Sequence, residues 1–315
     1  MPVGPIRTQV YIDPLLSDVS IAYQNPGYVS DIIFPEVQVK HRTGKFFKYD
    51  KSKFRIANDL RAPGERSSRV TYGLSVTTYG PLQEHSLEQD IPDEDREEVM
   101  DPLSLDQDAT ENLTERILLR KDYDAYTILT TAATGYTNDS NGYTTLSGSS
   151  QWSDYANSNP IEDIRIGKDL VKARIMKMPN TLLMGYEVFS KLINHPQILE
   201  RIKYSQLGVV TADLMAKVFN VDRILIAEAE QNTSNEADAS DTMSYLFGKN
   251  AWLLYITPRP GVRTVSYGYT LRQGARKVMS WREDPIETDF IKVKDVYQHM
   301  VMAIEAAYRI VTAIA

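Results

Sequence analysis

The chain has 315 residues, with 35 Lys plus Arg against 42 Asp plus Glu, a formal net charge of −7 and an isoelectric point of about 5.3, which argues against a dedicated nucleic-acid binder with its basic stripe. It contains no cysteine, which removes disulfides, thiolate metal sites and cysteine nucleophiles. The length allows about two domains with a substantial core; the first residues lack a secretory signal, and no apolar run reaches the length of a membrane span.

Residues 1–35 carry Pro2, Pro5, Pro14, Pro26 and Pro35 without sustained periodicity and read as an N-terminal arm. Residues 36–83 read as an extended hairpin loop. Val37, Val39, Phe47 and Tyr49 sit among Lys40, Arg42, Lys45 and Lys48, while Val70, Tyr72, Leu74 and Val76 alternate with Thr71, Gly73, Ser75 and Thr77. The second run has the period of two of a half-buried strand, the first is a further extended run, and Arg61-Ala62-Pro63-Gly64 supplies a turn between them.

The hairpin region is strongly two-signed. From Lys40 to Arg69 there are 10 basic against 3 acidic residues (+7), and from Glu84 to Asp101 there are 9 acidic residues against Arg96 alone (−8). A two-stranded ribbon is marginal in water by itself. It therefore either folds back on its own domain, its charges forming a solvated face, or lies across another subunit.

Residues 84–134 read as an acidic linker followed by a long helix that starts at an Asp101 N-cap with Pro102 in first position. Leu105, Ala109, Leu113 and Ile117 recur every fourth residue, and Ala125, Ile128 and Ala132 continue the stripe. At roughly 30 residues such a helix is about 45 Å long. Residues 135–160 read as a polar loop, with Asn141-Gly142 suited to a small hairpin. Residues 161–262 alternate helices (161–178, 186–194, 196–204, 211–219) with strands (181–185, 223–227, 244–247, 251–256), an α/β pattern with a polar loop at 231–241. Residues 263–315 return to strands at 264–271, 275–281 and 286–296, and the segment 300–315 fits either strand or helix by composition.

Motifs for chemistry are sparse. His41, His85, His195 and His299 are scattered through unrelated elements and fit surface or hydrogen-bonded structural roles; there is no zinc-protease pattern, nucleophile elbow, P-loop or dinucleotide fingerprint. The acid run Asp93-Glu94-Asp95-Arg96-Glu97-Glu98 lacks the alternate-position spacing and turn glycine of a calcium loop, so a solvated or partner-facing role is the better reading. Trp152, Trp252 and Trp281 fit core or interface packing better than stacking on bases or sugars. No catalytic, cofactor-binding or metal site is expected.

The order of parts resembles one family, the major capsid proteins of tailed double-stranded DNA bacteriophages. Several local sequences carry the resemblance: Trp152-Ser153-Asp154; Asn159-Pro160-Ile161-Glu162-Asp163-Ile164; and Met178-Pro179-Asn180-Thr181-Leu182-Leu183-Met184-Gly185. They continue in order with His195-Pro196, Glu200-Arg201-Ile202-Lys203, Phe219-Asn220-Val221 and Ser266-Tyr267-Gly268-Tyr269-Thr270, so the resemblance spans nearly the whole chain.

The resemblance implies an α+β fold with an N-terminal arm, extended β-hairpin loop, long spine helix, peripheral β-sheet domain and α/β axial domain, and a terminal segment that is a strand. In that layout 84–134 and 263–315 are peripheral and 161–262 axial. It implies a non-enzymatic shell protein that assembles as pentamers and hexamers into an icosahedral head enclosing DNA without sequence-specific binding. The implied setting is the virion, assembled in the host bacterial cytoplasm, with portal, separate scaffolding and decoration proteins as partners and no membrane. The hairpin would reach over an adjacent subunit, with Lys40, Arg42, Lys45, Lys48, Arg61, Arg66 and Arg69 as candidate interface cations and Asp93, Glu94, Asp95, Glu97 and Glu98 as candidate acids. The competing readings are an encapsulin-like cellular compartment, against which the Pro-rich N-terminus argues, and an α/β enzyme whose site forms only in three dimensions.

Overall fold

The computed structural model describes residues 11–12, 16–17, 20, 27–49, 56, 59–69, 74–98, 104–131, 142–203, 210–234, 240–259 and 265–315. In chain order the early elements are strand β1 (Tyr11–Ile12), the short helix α1 (Ser30–Ile33), and strands β2 (Glu36–Gln38), β3 (Gly44–Tyr49), β4 (Leu74–Tyr79) and β5 (Gln83–Pro92). Helices α2 (Asp93–Glu98) and α3 (Leu105–Thr130) follow, then β6 (Tyr143–Thr145), α4 (Pro160–Ile175), β7 (Thr181–Gly185), α5 (Tyr186–Ile193), α6 (Pro196–Ile202) and α7 (Ala212–Phe219). Strands β8 (Arg223–Ala227), β9 (Glu230–Asn232), β10 (Met243–Tyr245), β11 (Ala251–Leu254), β12 (Gly268–Arg272), β13 (Lys277–Glu283), β14 (Thr288–Val301) and β15 (Ala307–Val311) complete the chain.

The predicted hairpin is present: β3 and β4 pair antiparallel, Gly44 opposite Tyr79 and Tyr49 opposite Leu74. The long helix is also present. It starts after Ser104 rather than Asp101, and residues 101–103 lie outside the described set. Asp106 and Asp108 in its first turn suit the positive end of the helix dipole. Its buried stripe runs through Ala109, Leu113, Ile117, Lys121, Ala125 and Leu129.

Two sheets flank this helix. The six-stranded sheet has the order β1-β13-β14-β12-β2, with β5 on the other edge of β14. β14, with 14 residues, is its backbone. One edge takes β13 and then β12, and the other takes β5 over ten paired positions from Pro92–Thr288 to Gln83–Tyr297. Ile91, Ala109, Leu113, Ile117, Val278, Ile291 and Val293 form the small core between this sheet and α3. The five-stranded sheet has the order β6-β15-β11-β7-β8. β7 is buried at every position, as its unbroken apolar run Thr-Leu-Leu-Met-Gly requires at the centre of a sheet covered on both faces. The parallel β7–β8 pair needs a crossover, and α5, α6 and α7 provide it.

Local signals fix the helices around this second sheet. The Asn159 side chain accepts from Glu162 N at 3.2 Å with Pro160 in first position, and α4 ends at left-handed Met176. Thr211 accepts from Leu214 N at 3.4 Å to start α7, which ends at left-handed Asn220. Trp152 and Trp252 are fully buried in the large core of this half, whereas Trp281 stacks on Phe290 in the six-stranded sheet.

Three expectations are corrected. Residues 84–98 are not a linker: the first part is β5 and Asp93–Glu98 is helical, while residues 99–101 lie outside the described set. Glu84 and Glu88 share a face and meet Lys294 at 2.6 Å and Lys292 at 3.9 Å on β14, which balances two of the strand's three acids within the chain. Residues 143–145 are not part of a hairpin but pair in parallel with β15 as an edge of the five-stranded sheet. Finally, β15 is a strand, as the resemblance implies, but it belongs to the five-stranded sheet and not with β12–β14, so the 263–315 grouping breaks after β14. Parallel pairing across more than 160 residues leaves no local trace for a sequence reading to find.

Candidate intersubunit surface

The candidate charges fall into two groups. At the base of the hairpin Lys40, Arg42 and Lys45 are exposed, and in its loop Arg61, Arg66 and Arg69 are exposed around a turn closed by Glu65 N donating to Ala62 O at 3.2 Å. Lys48 lies opposite Ser75 in the backbone register, its side chain outside the described set. On the acid side α2 carries Asp93, Glu94, Asp95 and Glu97 and ends at Glu98, whose side chain is likewise outside it.

Two of these charges are engaged inside the chain. Arg42 Nη2 meets Glu84 Oε2 at 2.9 Å, and Arg42 Nε donates to Gln273 Oε1 at 3.3 Å, fixing the hairpin base to β5 and the β12–β13 turn. Arg282 grips Asp93 with both nitrogens at 2.9 and 2.5 Å, and these bonds hold the Asp93 carboxyl below its ordinary range. Lys40, Lys45, Arg61, Arg66, Arg69, Glu94, Asp95 and Glu97 make no ion pair with any described residue. Cations and anions of opposite sign are thus left over on neighbouring segments of one chain. The exposed apolar side chains Ile56 and Leu60 belong to the same hairpin loop.

A second set of charges is buried, and sequence reasoning missed it. Lys121 of α3, 1% exposed, pairs with Asp31 of α1 and with Glu36 of β2 at 2.9 Å. Arg272 of β12 reaches Glu36 at 2.8 Å and Asp295 of β14 at 2.7 Å, and Arg276 lies 3.6 Å from Asp295 while donating to Ser20 O at 2.7 Å. Burial opposes the charged form of Glu36, but Lys121 and Arg272 outweigh it and hold its carboxyl below the ordinary range. The cluster ties the arm, the long helix and three strands of one sheet at a single point. A signal exists in the sequence: position 121 falls on the every-fourth-residue stripe between Ile117 and Ala125, and Asp295 shares the buried parity of Ile291 and Val293.

Two buried titratable groups beside this cluster oppose one another. Asp122 Oδ1 accepts from Val29 N at 3.1 Å and Ser30 N at 2.7 Å, and burial pushes its carboxyl up to about 6 against those bonds. His299, hydrogen-bonded to Thr270 Oγ1 at 2.9 Å and Lys121 O at 3.1 Å, is pushed down to about 4 by burial and by Lys121. An acid whose folded value is raised adds stability as pH falls through about 6; a histidine whose folded value is lowered loses it as pH falls from 6.5 toward about 4. Each effect is worth about 3 kcal/mol and the two nearly cancel. Asp122→Asn keeps the Oδ1 acceptor and removes only the titration. Relative to the unsubstituted chain, the variant is therefore expected to lose about 3 kcal/mol more between pH 6.5 and 4. Urea unfolding of the unassembled chain across that range checks it, and parallel profiles would refute the account.

The enzyme reading needs converging titratable groups. The open cleft of about 320 Å³ lined by Asn159, Ile161, Gln197, Glu200 and Arg201 offers one carboxylate beside one guanidinium. Among the described residues no helix is long and apolar enough to cross a membrane.

The fold thus combines a charged hairpin, a long helix and two sheets. Comparison with known proteins gives the family. Residues 117–268 match the family model described as phage major capsid protein E. The major capsid protein of Burkholderia phage BcepMu is 30% identical over 98% of this chain and 98% of its own length. A crystal structure of a phage-related protein from Bordetella bronchiseptica RB50 superposes with a TM-score of 0.77 at 24% identity, covering 97% of this chain and 98% of that one. The mature capsid subunit of bacteriophage PhiM1 superposes with a TM-score of 0.55 at 10% identity, covering 98% and 91%, which shows a shared fold. The chain belongs to the phage major capsid proteins, a structural and non-enzymatic family.

Proposed function

We propose that this chain assembles as pentamers and hexamers into an icosahedral phage head that encloses double-stranded DNA, with the basic hairpin of one subunit lying against acids of its neighbour. Family membership supports the shell. The observation that carries the contact is the pair of leftover charge sets, Lys40, Lys45, Arg61, Arg66 and Arg69 on the hairpin and Glu94, Asp95 and Glu97 on α2. Lys48 and Glu98 join them by position in sequence. Exposed ion pairs contribute at most about 1 kcal/mol each, so the charges set register while apolar contacts such as those of Ile56 and Leu60 supply adhesion. Portal, a separate scaffolding protein and decoration proteins complete the proposed partners, with assembly in the host cytoplasm and DNA held without sequence readout.

Electron microscopy of the chain is expected to show capsomers or closed shells, and a chain that stays monomeric both alone and when co-produced with its scaffolding protein would overturn the assembly reading. Lys45→Glu with Lys48→Glu is expected to abolish shells while leaving the stability of the subunit within about 0.5 kcal/mol of the unsubstituted one. Normal shells from that variant would overturn the hairpin's part in the contact.

A further inference from the structure

Among the described residues nothing pairs with the outer edge of β5. Its other edge pairs with β14 along all ten residues, and no described strand lies on the outer side. The direction of each backbone group follows from two hydrogen bonds at the ends of the ladder. Asp93 N donates to Glu287 O at 3.1 Å, continuing the register one step past Pro92–Thr288, so odd-numbered residues of β5 point toward β14. Independently, Gln273 N donates to Val296 O at 3.0 Å, which turns the even positions of β14 toward β12 and leaves its odd positions for β5. The N–H groups of Glu84, Ser86, Glu88 and Asp90 therefore face outward. Pro92, which has no N–H to offer, falls on the same outward parity, where proline is tolerated in an edge strand.

The start of this edge is already used within the chain. Leu82 N, of the same outward parity, donates to Arg42 O at 2.9 Å, and the Arg42 guanidinium holds Glu84. From there the chain turns away into β3, which pairs with β4 on one side and no described strand on the other. The molecule thus presents an acid-flanked edge, with Asp90 exposed and Glu94, Asp95 and Glu97 following it, and a lysine-bearing edge on β3, with Lys45 exposed. Unprotected edges pair with other strands of suitable charge.

We propose that the free edge of β3 from one copy of this chain adds as a strand to the free edge of β5 in a second copy, extending the six-stranded sheet across the subunit boundary. The proposal rests on the shell reading above and gives its hairpin contact a backbone basis, with Lys45 and Lys48 of one copy set beside the acids of the other.

Amide hydrogen exchange resolved to single residues tests it. In the unassembled chain the amides of Glu84, Ser86, Glu88 and Asp90 are expected to exchange readily while those of His85, Leu87, Gln89 and Ile91 are protected. In assembled shells the first set is expected to slow by about 100-fold or more, giving continuous protection. Because the chain has no cysteine, Lys45→Cys combined in turn with a cysteine at Glu84, Ser86, Glu88 or Asp90 reports the occupant. At least one pair is expected to give disulfide-linked multimers on oxidation of shells. Shells whose outward amides exchange as fast as those of free subunits would overturn the strand addition and leave the shell reading standing. Protection without any cross-link would overturn β3 as the added strand. An unsubstituted chain that stays monomeric both alone and when co-produced with its scaffolding protein would overturn the shell reading, and this proposal with it.

Discussion

Replacing Arg272 by Met is expected to destabilise the subunit by about 3 to 5 kcal/mol, the usual cost of removing one partner from a buried ionic pair. The guanidinium is 13% exposed and spans Glu36 and Asp295, so it joins β2 to β14 through β12. Asp295 is 1% exposed, and one of its oxygens already lacks a hydrogen-bond partner. Without Arg272 its remaining cation is Arg276, at the longer distance of 3.6 Å. Burial lowers the Arg276 guanidinium's affinity for its proton, with Asp295 acting against that shift, while Arg272 is raised above its ordinary value because Asp295 and Glu36 outweigh its burial. The two arginines are thus unequal, and the one removed is the better-matched partner. Arg272→Lys retains charge without the fork and is expected to fall between the two. Urea unfolding of unassembled chains measures both; a loss under about 1 kcal/mol for Arg272→Met would show that Asp295 does not depend on Arg272 as its partner.

A comparable loss, about 3 kcal/mol or more, is expected from Gly185→Ala by an unrelated mechanism. Gly185 ends β7 and caps α5, and a methyl group there would stand 2.0 Å from the carbonyl oxygen of Gly248. The obstacle is backbone, so no rotamer change relieves it. Gly248 itself has a φ of +50° in the turn before β11, and Gly185 N donates to Asn250 O at 3.3 Å, so separating the two segments also costs that bond and disturbs the β7–β11 pairing. The substitution adds one methyl group and no polarity, so it probes space alone. Thermal unfolding near that of the unsubstituted chain would show that the turn can move aside cheaply.

Most of the elements were legible because the patterns that specify them are local. β7 and β8 read directly as short strands, and the helices expected at 161–178 and 211–219 lie where α4 and α7 form. β5 was not legible because its inward positions, His85, Leu87, Gln89 and Ile91, are only half apolar, so the acids between them dominated the reading. Its pairing depends on Lys292 and Lys294, some two hundred residues away in sequence. The candidate surface was legible as charge but not as partnership. Nothing local distinguishes Arg42 and Asp93, which are paired within the chain, from Lys45 and Glu94, which make no ion pair among the described residues. The buried cluster escaped for a related reason, since a helical Lys121-Asp122 pair is ordinarily a solvated one.

The central place of β14 also bears on how the polypeptide is made. β5 has no strand to pair with until residues 288–297 exist; in the other sheet β7 can pair early with β8, but β6 waits for β15. A ribosome will therefore have released most of the chain before either sheet can close, and during that interval the hairpin and β5 present open edges to every other nascent copy. Non-local pairing of this kind folds slowly. The acids along β5 and the lysines along β3 then serve a second end: like strands of two unfinished copies repel, which disfavours β3 against β3 and β5 against β5 and leaves β3 against β5 as the permitted encounter.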